Sequence, residues 1–174
     1  MDFSALIGLI KTRRSIRVFT EEPLPREGLE ELIIAGQWAP SGSNAQAWEA
    51  VIVDEPALMN RFVAFLPGVS KAPAAMIWLC LDREREAKRG GKLGLDSMGS
   101  LDIAMAAQNM LLAIEAKGWG GCVIKGFNEK IARLYLKLPE QVTPELMIIL
   151  GKPKQQGTVI SRRPLAEILH WQQW

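Results

Sequence analysis

Hydrophobic residues are most concentrated in one stretch, residues 98–127, which reads MGSLDIAMAAQNMLLAIEAKGWGGCVIKGF. Between positions 101 and 114 nearly every residue is apolar or small, and the polar residues are Asp102, Gln108 and Asn109. A helix without a polar face is typical of a core element that is covered on all sides. The pattern therefore predicts a helix, buried on nearly all sides, at the centre of the core.

A membrane span is the alternative interpretation of this stretch, because about 20 apolar residues cross a bilayer. Its polar residues, together with Glu115, oppose that interpretation. A single aspartate at the centre of a spanning helix costs about 2.5–3.5 kcal/mol, and no further apolar residues flank the stretch to offset it. We therefore predict no membrane association.

Hydrophobic periodicity also predicts the other elements. Helical spacing indicates helices over residues 3–12, 23–38, 55–66 and 128–137, whereas apolar runs indicate strands over 47–54, 74–81, 119–124 and 145–151. The polar residues 82–95 contain three glycines and predict an exposed loop. About four core strands between helices predict an α+β fold, and 174 residues are enough for a single domain, 1–174.

Composition narrows the functional classes. The 21 basic and 19 acidic residues are mostly scattered, which does not indicate nucleic-acid binding. Cys80 and Cys122 lack metal-ligand spacing and lie in apolar surroundings, and the one histidine, His170, is interpreted as structural, so no metal site is predicted. The start of the chain lacks a signal-peptide pattern, and we predict a cytoplasmic protein.

Two polar segments could bind a ligand. Residues 13–17 (RRSIR) place three cations and a hydroxyl together, and in an extended chain Arg13, Ser15 and Arg17 point the same way at intervals of about 6.6–7 Å. Residues 39–48, the polar loop, combine loop formers that offer hydroxyl, amide and free backbone N–H groups to a ligand. The alternatives are a solvated basic turn and an ordinary helix-to-strand loop.

The chain lacks the standard phosphate-loop, dinucleotide-binding and catalytic-triad motifs. Anion-binding segments with few acids, bases or nucleophiles indicate that a cofactor carries the reaction. Four segments in register then resemble the FMN-dependent nitroreductase family, with the chain as a short member: RRSIR at 13–17, PSGSNAQAW at 40–48, AQNMLL at 107–112 leading to GWGG at 118–121, and RRPL at 162–165. One departure is Ala47, where the family usually has proline.

The resemblance implies a central, mostly antiparallel sheet of about four core strands flanked by helices, and a homodimer in which residues 153–174 wrap around the partner subunit. It also implies FMN at the dimer interface. The residues that it assigns to the cofactor are Arg13, Arg14, Ser15, Arg162 and Arg163 around the phosphate, Arg17 near the pyrimidine edge, Pro40, Ser41, Gly42 and Asn44 from the other subunit, the segment of Lys125, Gly126 and Phe127 near flavin N5, and in addition Gln46 and Ile124. The chemistry is flavin-borne, so no side chain is assigned a catalytic role, although Arg17, Lys125 and Gly126 are expected near the reactive ring. Glycine at 126 would allow a close approach of the backbone to that ring.

The implied activity is a two-step exchange, in which NADPH or NADH reduces the flavin and a nitroaromatic or quinone-like acceptor then takes the electrons. Larger members insert helices over the flavin where this chain has residues 82–97, so an open flavin face and varied planar acceptors are expected. The alternatives are a flavoenzyme of the same fold with a different reaction (dehalogenation, dehydrogenation or flavin fragmentation), a non-catalytic flavin-binding module, and a small nucleic-acid binder.

Overall fold

A four-stranded sheet forms the centre of the structure, a computed structural model that describes residues 2–174, with the side chains at positions 93 and 96 excepted. Its strands are β1 (Trp48–Val53), β2 (Ala75–Asp82), β3 (Gly120–Ile124) and β4 (Val142–Gly151). The strand order is β1-β2-β4-β3, and each neighbouring pair is antiparallel. The central strands β2 and β4 are mostly buried, as their apolar runs predict.

Six α-helices flank the sheet within the described chain. They are α1 (Phe3–Thr12), α2 (Arg26–Gln37), α3 (Pro56–Val63), α4 (Arg83–Leu93), α5 (Gly99–Ala116) and α6 (Glu129–Leu136). Short 3-10 turns occur at Gly42–Asn44 and Leu165–Glu167, and a π-helical segment, Gly94–Met98, joins α4 to α5. The predicted α+β fold is confirmed.

The two faces of the sheet carry separate parts of the core. Alternate residues of a strand point to opposite faces, and in β2 Met76 and Trp78 belong to one cluster while Ile77 and Leu79 belong to the other. The first cluster is covered by α3 and α6, where Phe62 packs on Trp78 with ring centroids 4.9 Å apart. The second cluster is covered by α2 and α5.

Helix α5 is the predicted spine, but it is not buried on all sides within one chain. Ile103 and Met110 are completely buried in the second cluster. In contrast, Leu101 is 56% exposed, and Ala104 and Gln108 are exposed on the same stripe. One sheet can cover only one side of a helix, so Leu101 remains exposed although the sequence predicts that it is buried.

Residues 82–95 form α4 and the start of the π-helical segment, so the prediction of an exposed loop is wrong. Asp82 caps the helix by accepting a hydrogen bond from the backbone N–H of Arg85 at 3.1 Å. The helix is kinked at Gly91, which has φ 62° and ψ −150°. Sequence periodicity missed it because, among the side chains of α4 that the structure describes, the one that is completely buried is an acid, Glu86.

The Glu86 side chain lies between α4 and the segment that follows it. Its carboxyl fills the space beside Gly90 and Gly94, since a Cβ at either glycine would overlap Glu86 Oε1. Neither carboxyl oxygen has a hydrogen-bond partner among the described residues. Burial, and then the nearby charge of Asp102, raise the pKa of Glu86.

Glu86→Gln is expected to stabilise the protein at about pH 8 and to lose that advantage toward about pH 4. Because the pKa of Glu86 is raised in the folded state, the unfolded chain releases this proton at a lower pH than the folded chain does. Wild-type stability therefore falls as pH rises from the unfolded-state pKa toward the raised folded-state pKa, and the glutamine variant lacks this contribution. The expected gain in the free energy of unfolding is about 1–3 kcal/mol. For a protein of this size, each kcal/mol corresponds to a rise in Tm of about 2–4 °C.

Thermal unfolding measured over that pH range tests this. Glu84→Gln is the matched control, because it removes the same charge from an exposed position of the same helix. Parallel pH profiles for Glu86→Gln and wild type would contradict the expectation.

Candidate functional site

The basic segment, residues 13–17, is extended and lies along the outer edge of β3. Ile16 N donates a hydrogen bond to Gly121 O at 3.0 Å, and Ser15 bridges the same glycine. The Ile16 side chain is buried against Gly120, where a Cβ would approach it to 2.7 Å. The side chains on either side of Ile16 are therefore turned away from the core.

The basic segment forms one wall of a cavity of about 230 Å³. Four arginines, two hydroxyl residues and one isoleucine line it, and none of the lining residues described is acidic. They are Arg13, Arg14, Ser15, Arg17, Thr158, Ile160 and Arg162. Guanidinium groups with neighbouring hydroxyls match the oxygens of a phosphate, so this cavity can bind a phosphorylated anion. The structure thus brings Arg162 to the basic segment, as expected.

Two of the predicted phosphate-binding arginines have other partners. Arg14 Nη1 donates hydrogen bonds to the carbonyl oxygens of Thr12 at 3.0 Å and Arg13 at 2.9 Å, and so satisfies carbonyls at the end of α1. Arg163 donates to Glu167, to Oε2 at 3.2 Å and to the carbonyl at 2.7 Å, and it is not among the described lining residues. A role for Arg163 at a phosphate therefore rests on the family resemblance alone.

Several backbone amides of the polar loop are already bonded within the chain. Ser41 accepts two of them, from Asn44 N at 3.0 Å through its carbonyl and from Gln46 N at 3.1 Å through its hydroxyl oxygen. Gly42 N donates to both carboxyl oxygens of Asp102, at 3.1 and 3.0 Å. These three amides are thus not free to bind a ligand.

The same loop has a strained backbone. Ser43, Asn44 and Gln46 have φ of 52°, 52° and 48°, a region that non-glycine residues rarely adopt. Strain of this kind is concentrated at ligand-binding sites and persists where surrounding structure imposes it. Here Asp102 of α5 holds one side of the loop, and Arg85 of α4 holds the other by donating to Ala45 O at 2.9 Å.

Sequence analysis missed Asp102 and Arg85 as residues of this site. The available signal was one acidic residue inside an otherwise apolar helix, but sequence alone does not show that Asp102 meets a loop 60 residues earlier.

The segment after β3 contains the residues expected near the reactive ring. Ile124 ends the strand with 9% exposure, and Lys125 Nζ donates to Glu145, both to its carbonyl and to Oε2 at 3.1 Å. Gly126 is exposed, and no described atom of this chain lies within 4 Å of the position of a Cβ. The explanation that a closely approaching ring requires this glycine stays a prediction.

The basic segment and the polar loop lie at opposite edges of the sheet. The basic segment borders β3, whereas the loop leads directly into β1. The order β1-β2-β4-β3 separates these edges by three strand spacings, about 14 Å. Pro40, Ser41, Gly42, Asn44 and Gln46 are absent from the described lining of the arginine cavity.

Other classes of site have little support in the described residues. No group of three or more His, Cys, Asp or Glu side chains in them is placed to hold a metal ion. Both cysteines are buried, and burial raises the pKa of the Cys80 thiol to about 12, which disfavours a nucleophilic thiolate. His170 stacks on Trp174 with ring centroids 4.4 Å apart. None of the described helices combines the length and apolar character that a bilayer span requires.

The antiparallel sheet of this α+β fold carries an arginine-lined cavity at one edge and a strained polar loop at the other. The chain belongs to the nitroreductase family, whose model matches residues 10–66 and 64–152.

Relatives and solved structures agree with this membership. The oxygen-insensitive NADPH nitroreductase of Salmonella typhimurium is 33% identical over 180 residues, covering 98% of this chain and 75% of the relative. The structure of the NADPH:FMN oxidoreductase of Vibrio harveyi in complex with NAD+ has a TM-score of 0.86 at 30% identity, covering 97% of this chain and 77% of that chain. The structure of nitroreductase A of Vibrio parahaemolyticus has a TM-score of 0.88 at 30% identity, covering 100% of this chain and 77% of that chain.

Proposed function

We propose that the protein is an FMN-dependent oxidoreductase in which NADPH or NADH reduces the flavin and a second substrate then takes the electrons. The observation that carries this proposal is the arginine-lined cavity beside β3. The names of its relatives, a NADPH nitroreductase and a NADPH:FMN oxidoreductase, support the nicotinamide donor and the flavin. The protein is an enzyme of the oxidoreductase class.

The residues of the cavity fit the phosphate end of FMN. Arg13 and Arg162, which line the cavity, would bind the phosphate oxygens through charge-assisted hydrogen bonds, and Ser15 would add a hydroxyl beside them. Arg17 would supply positive charge that favours the negative charge developing on the flavin when it is reduced. FMN, when bound, supplies the electron-transfer chemistry, which explains why the chain needs no acid or base of its own for this step.

A homodimer would complete this site, because the polar loop lies at the opposite edge of the same sheet. Exposed apolar side chains support a second copy: Leu101 on α5, and in the tail Val159, Ile160, Leu165, Ile168, Leu169, Trp171 and Trp174. Trp171 is 75% exposed, and Trp174 is fully exposed. In our proposal each chain is a single domain, 1–174, whose residues 153–174 wrap around the partner and cover these surfaces.

The proposed second substrate is a small planar acceptor, a nitroaromatic or a quinone. The expectation of an open flavin face relied on a short loop at 82–97, and the structure has helix α4 and a π-helical segment there instead. This segment packs on the polar loop, since a Cβ at Gly42 would approach Met98 Cε to 2.9 Å. The name of the Salmonella nitroreductase supports a nitro compound as the acceptor, whereas the quinone rests on the family resemblance, and neither is supported by an open face. We propose a cytoplasmic protein without nucleic-acid or membrane partners.

The visible absorption spectrum of the purified protein, recorded before and after anaerobic addition of NADPH or NADH, tests the proposal. The expected result is a flavin spectrum that bleaches with the nicotinamide and recovers when a quinone or nitroaromatic acceptor is added. A colourless folded protein that takes up no added FMN would overturn it. Bound FMN without oxidation of either nicotinamide would indicate a binding module or another flavin reaction.

A further inference from the structure

Asp102 is a buried acid at a costly position. It lies in the first turn of α5 with 2% exposure. The one hydrogen bond described for its carboxyl comes from Gly42 N, which is shared between the two oxygens at 3.0 and 3.1 Å. Burial raises the pKa of Asp102, and the hydrogen bond from Gly42 opposes that rise. Removing this carboxylate from water therefore costs free energy, which its hydrogen bond with Gly42 only partly offsets.

Helix α5 does not require this acid for its own formation. Its N-cap residue is Met98, and the side chain of Asp102 does not cap the helix. Neighbours such as Ile103 and Ala106 are completely buried apolar residues, so a neutral residue would suit the core at least as well. The contact that accounts for a carboxylate at this position is therefore its hydrogen bond with Gly42 N.

Gly42 comes directly before a turn whose backbone conformation is unfavourable. Three residues that follow it, Ser43, Asn44 and Gln46, have left-handed backbones, and each costs free energy that surrounding contacts must supply. Gly42 itself cannot use its N–H for a ligand, because that group is bound to Asp102. Its interaction with Asp102 fixes the start of the strained turn.

We propose that Asp102 is a positioning residue, which holds Gly42 and thereby fixes the side chains of Ser41, Asn44 and Gln46 in the arrangement that they present to FMN bound by the partner subunit. This inference rests on the proposed function, but the anchoring of the loop is a property of the flavin-free chain as well. Anchoring lowers the cost of ordering the loop when the cofactor binds.

Three variants of the full-length protein test this proposal. Asp102→Ala and Asp102→Leu cannot accept the Gly42 hydrogen bond, and Leu fills the site with a larger apolar group, whereas Asp102→Asn has nearly the same shape, keeps one acceptor oxygen and removes the charge. Three readouts apply to each: amide hydrogen exchange across residues 39–48 without flavin, the Kd for FMN by fluorescence titration, and the Tm without flavin.

For the Ala and Leu variants we expect faster exchange in the polar loop, unchanged exchange in β2, and FMN affinity that falls by at least about tenfold. Asp102→Asn should stay within about threefold of wild type in both. The Tm of Asp102→Asn should equal or exceed that of wild type, because a buried charge is removed while an acceptor for Gly42 N–H remains.

Several results would overturn the positioning role. They are wild-type loop exchange in the Ala and Leu variants, faster exchange without loss of FMN affinity, or failure of both variants to fold while Asp102→Asn folds, which would show a role in stability. Absence of FMN binding in the wild type would instead refute the proposed function. In that case the exchange data on flavin-free protein still decide whether Asp102 anchors the loop.

Discussion

Deletion of residues 161–174 is expected to give a monomer that binds no FMN. The deleted segment contains Arg162, which lines the arginine cavity, and most of the apolar tail, including the exposed Trp171 and Trp174. Loss of the cation weakens the phosphate site, and loss of the tail removes apolar area that a partner would bury. Size-exclusion chromatography with light scattering, together with flavin absorbance, measures both effects.

A shorter deletion, residues 165–174, serves as the matched control because it keeps Arg162 and removes the remainder of the tail. We expect it to weaken the dimer as well, but to leave the cation available to FMN in dimers that still form at high protein concentration. A yellow monomer from the longer deletion would contradict a tail that wraps around the partner subunit.

Arg13→Ala is expected to weaken FMN binding by roughly 10- to 150-fold, the equivalent of about 1.5–3 kcal/mol for one charge-assisted hydrogen bond. Arg13 lines the cavity, and none of the described salt bridges involves its side chain. Its guanidinium is therefore available to a phosphate. Fluorescence titration with FMN at fixed ionic strength gives the Kd.

Arg163→Ala is the matched control, since it removes the same charge from a residue that is bound to Glu167 in the described chain. It should change the Kd less than Arg13→Ala does. Equal losses from both variants would show that Arg163 leaves Glu167 to bind the phosphate, as the resemblance implies. An unchanged flavin content in Arg13→Ala after gel filtration would remove Arg13 from the phosphate site.

Sequence periodicity predicted those elements whose apolar residues recur at the period of a strand or a helix, including α1, which buries none of its residues within one chain. The strand at 74–81 and the helix at 3–12 agree with β2 (Ala75–Asp82) and α1 (Phe3–Thr12), because their patterns match the periods of a strand and a helix. Helix α4 lacked such a signal. It is polar, contains glycines and buries an acid at Glu86, so the features that normally indicate a loop were present in a helix.

The membership of the candidate site stays a prediction, whereas its hydrogen bonding is a finding of the structure that the sequence did not predict. Four motifs in register identified the basic segment and the polar loop, and the structure places Arg162 beside the basic segment. The use of the Gly42 amide by Asp102 depends on a contact across 60 residues. Similarly, Arg14 donates to a carbonyl at the end of α1, and Arg163 donates to Glu167. The composition of the chain does not reveal that these partners compete with a phosphate for the two arginines.

The placement of the basic segment and the polar loop at opposite edges of the sheet has a genetic consequence for the proposed dimer. Each of the two sites would combine the arginine cavity of one subunit with the polar loop of the other. A chain with a defective cavity therefore still has an intact loop, and a chain with a defective loop still has an intact cavity. When two such mutant alleles are expressed together, a mixed dimer contains one doubly defective site and one with no defect at all. Inactivating mutations at the two edges would therefore complement each other, whereas two mutations at the same edge would not.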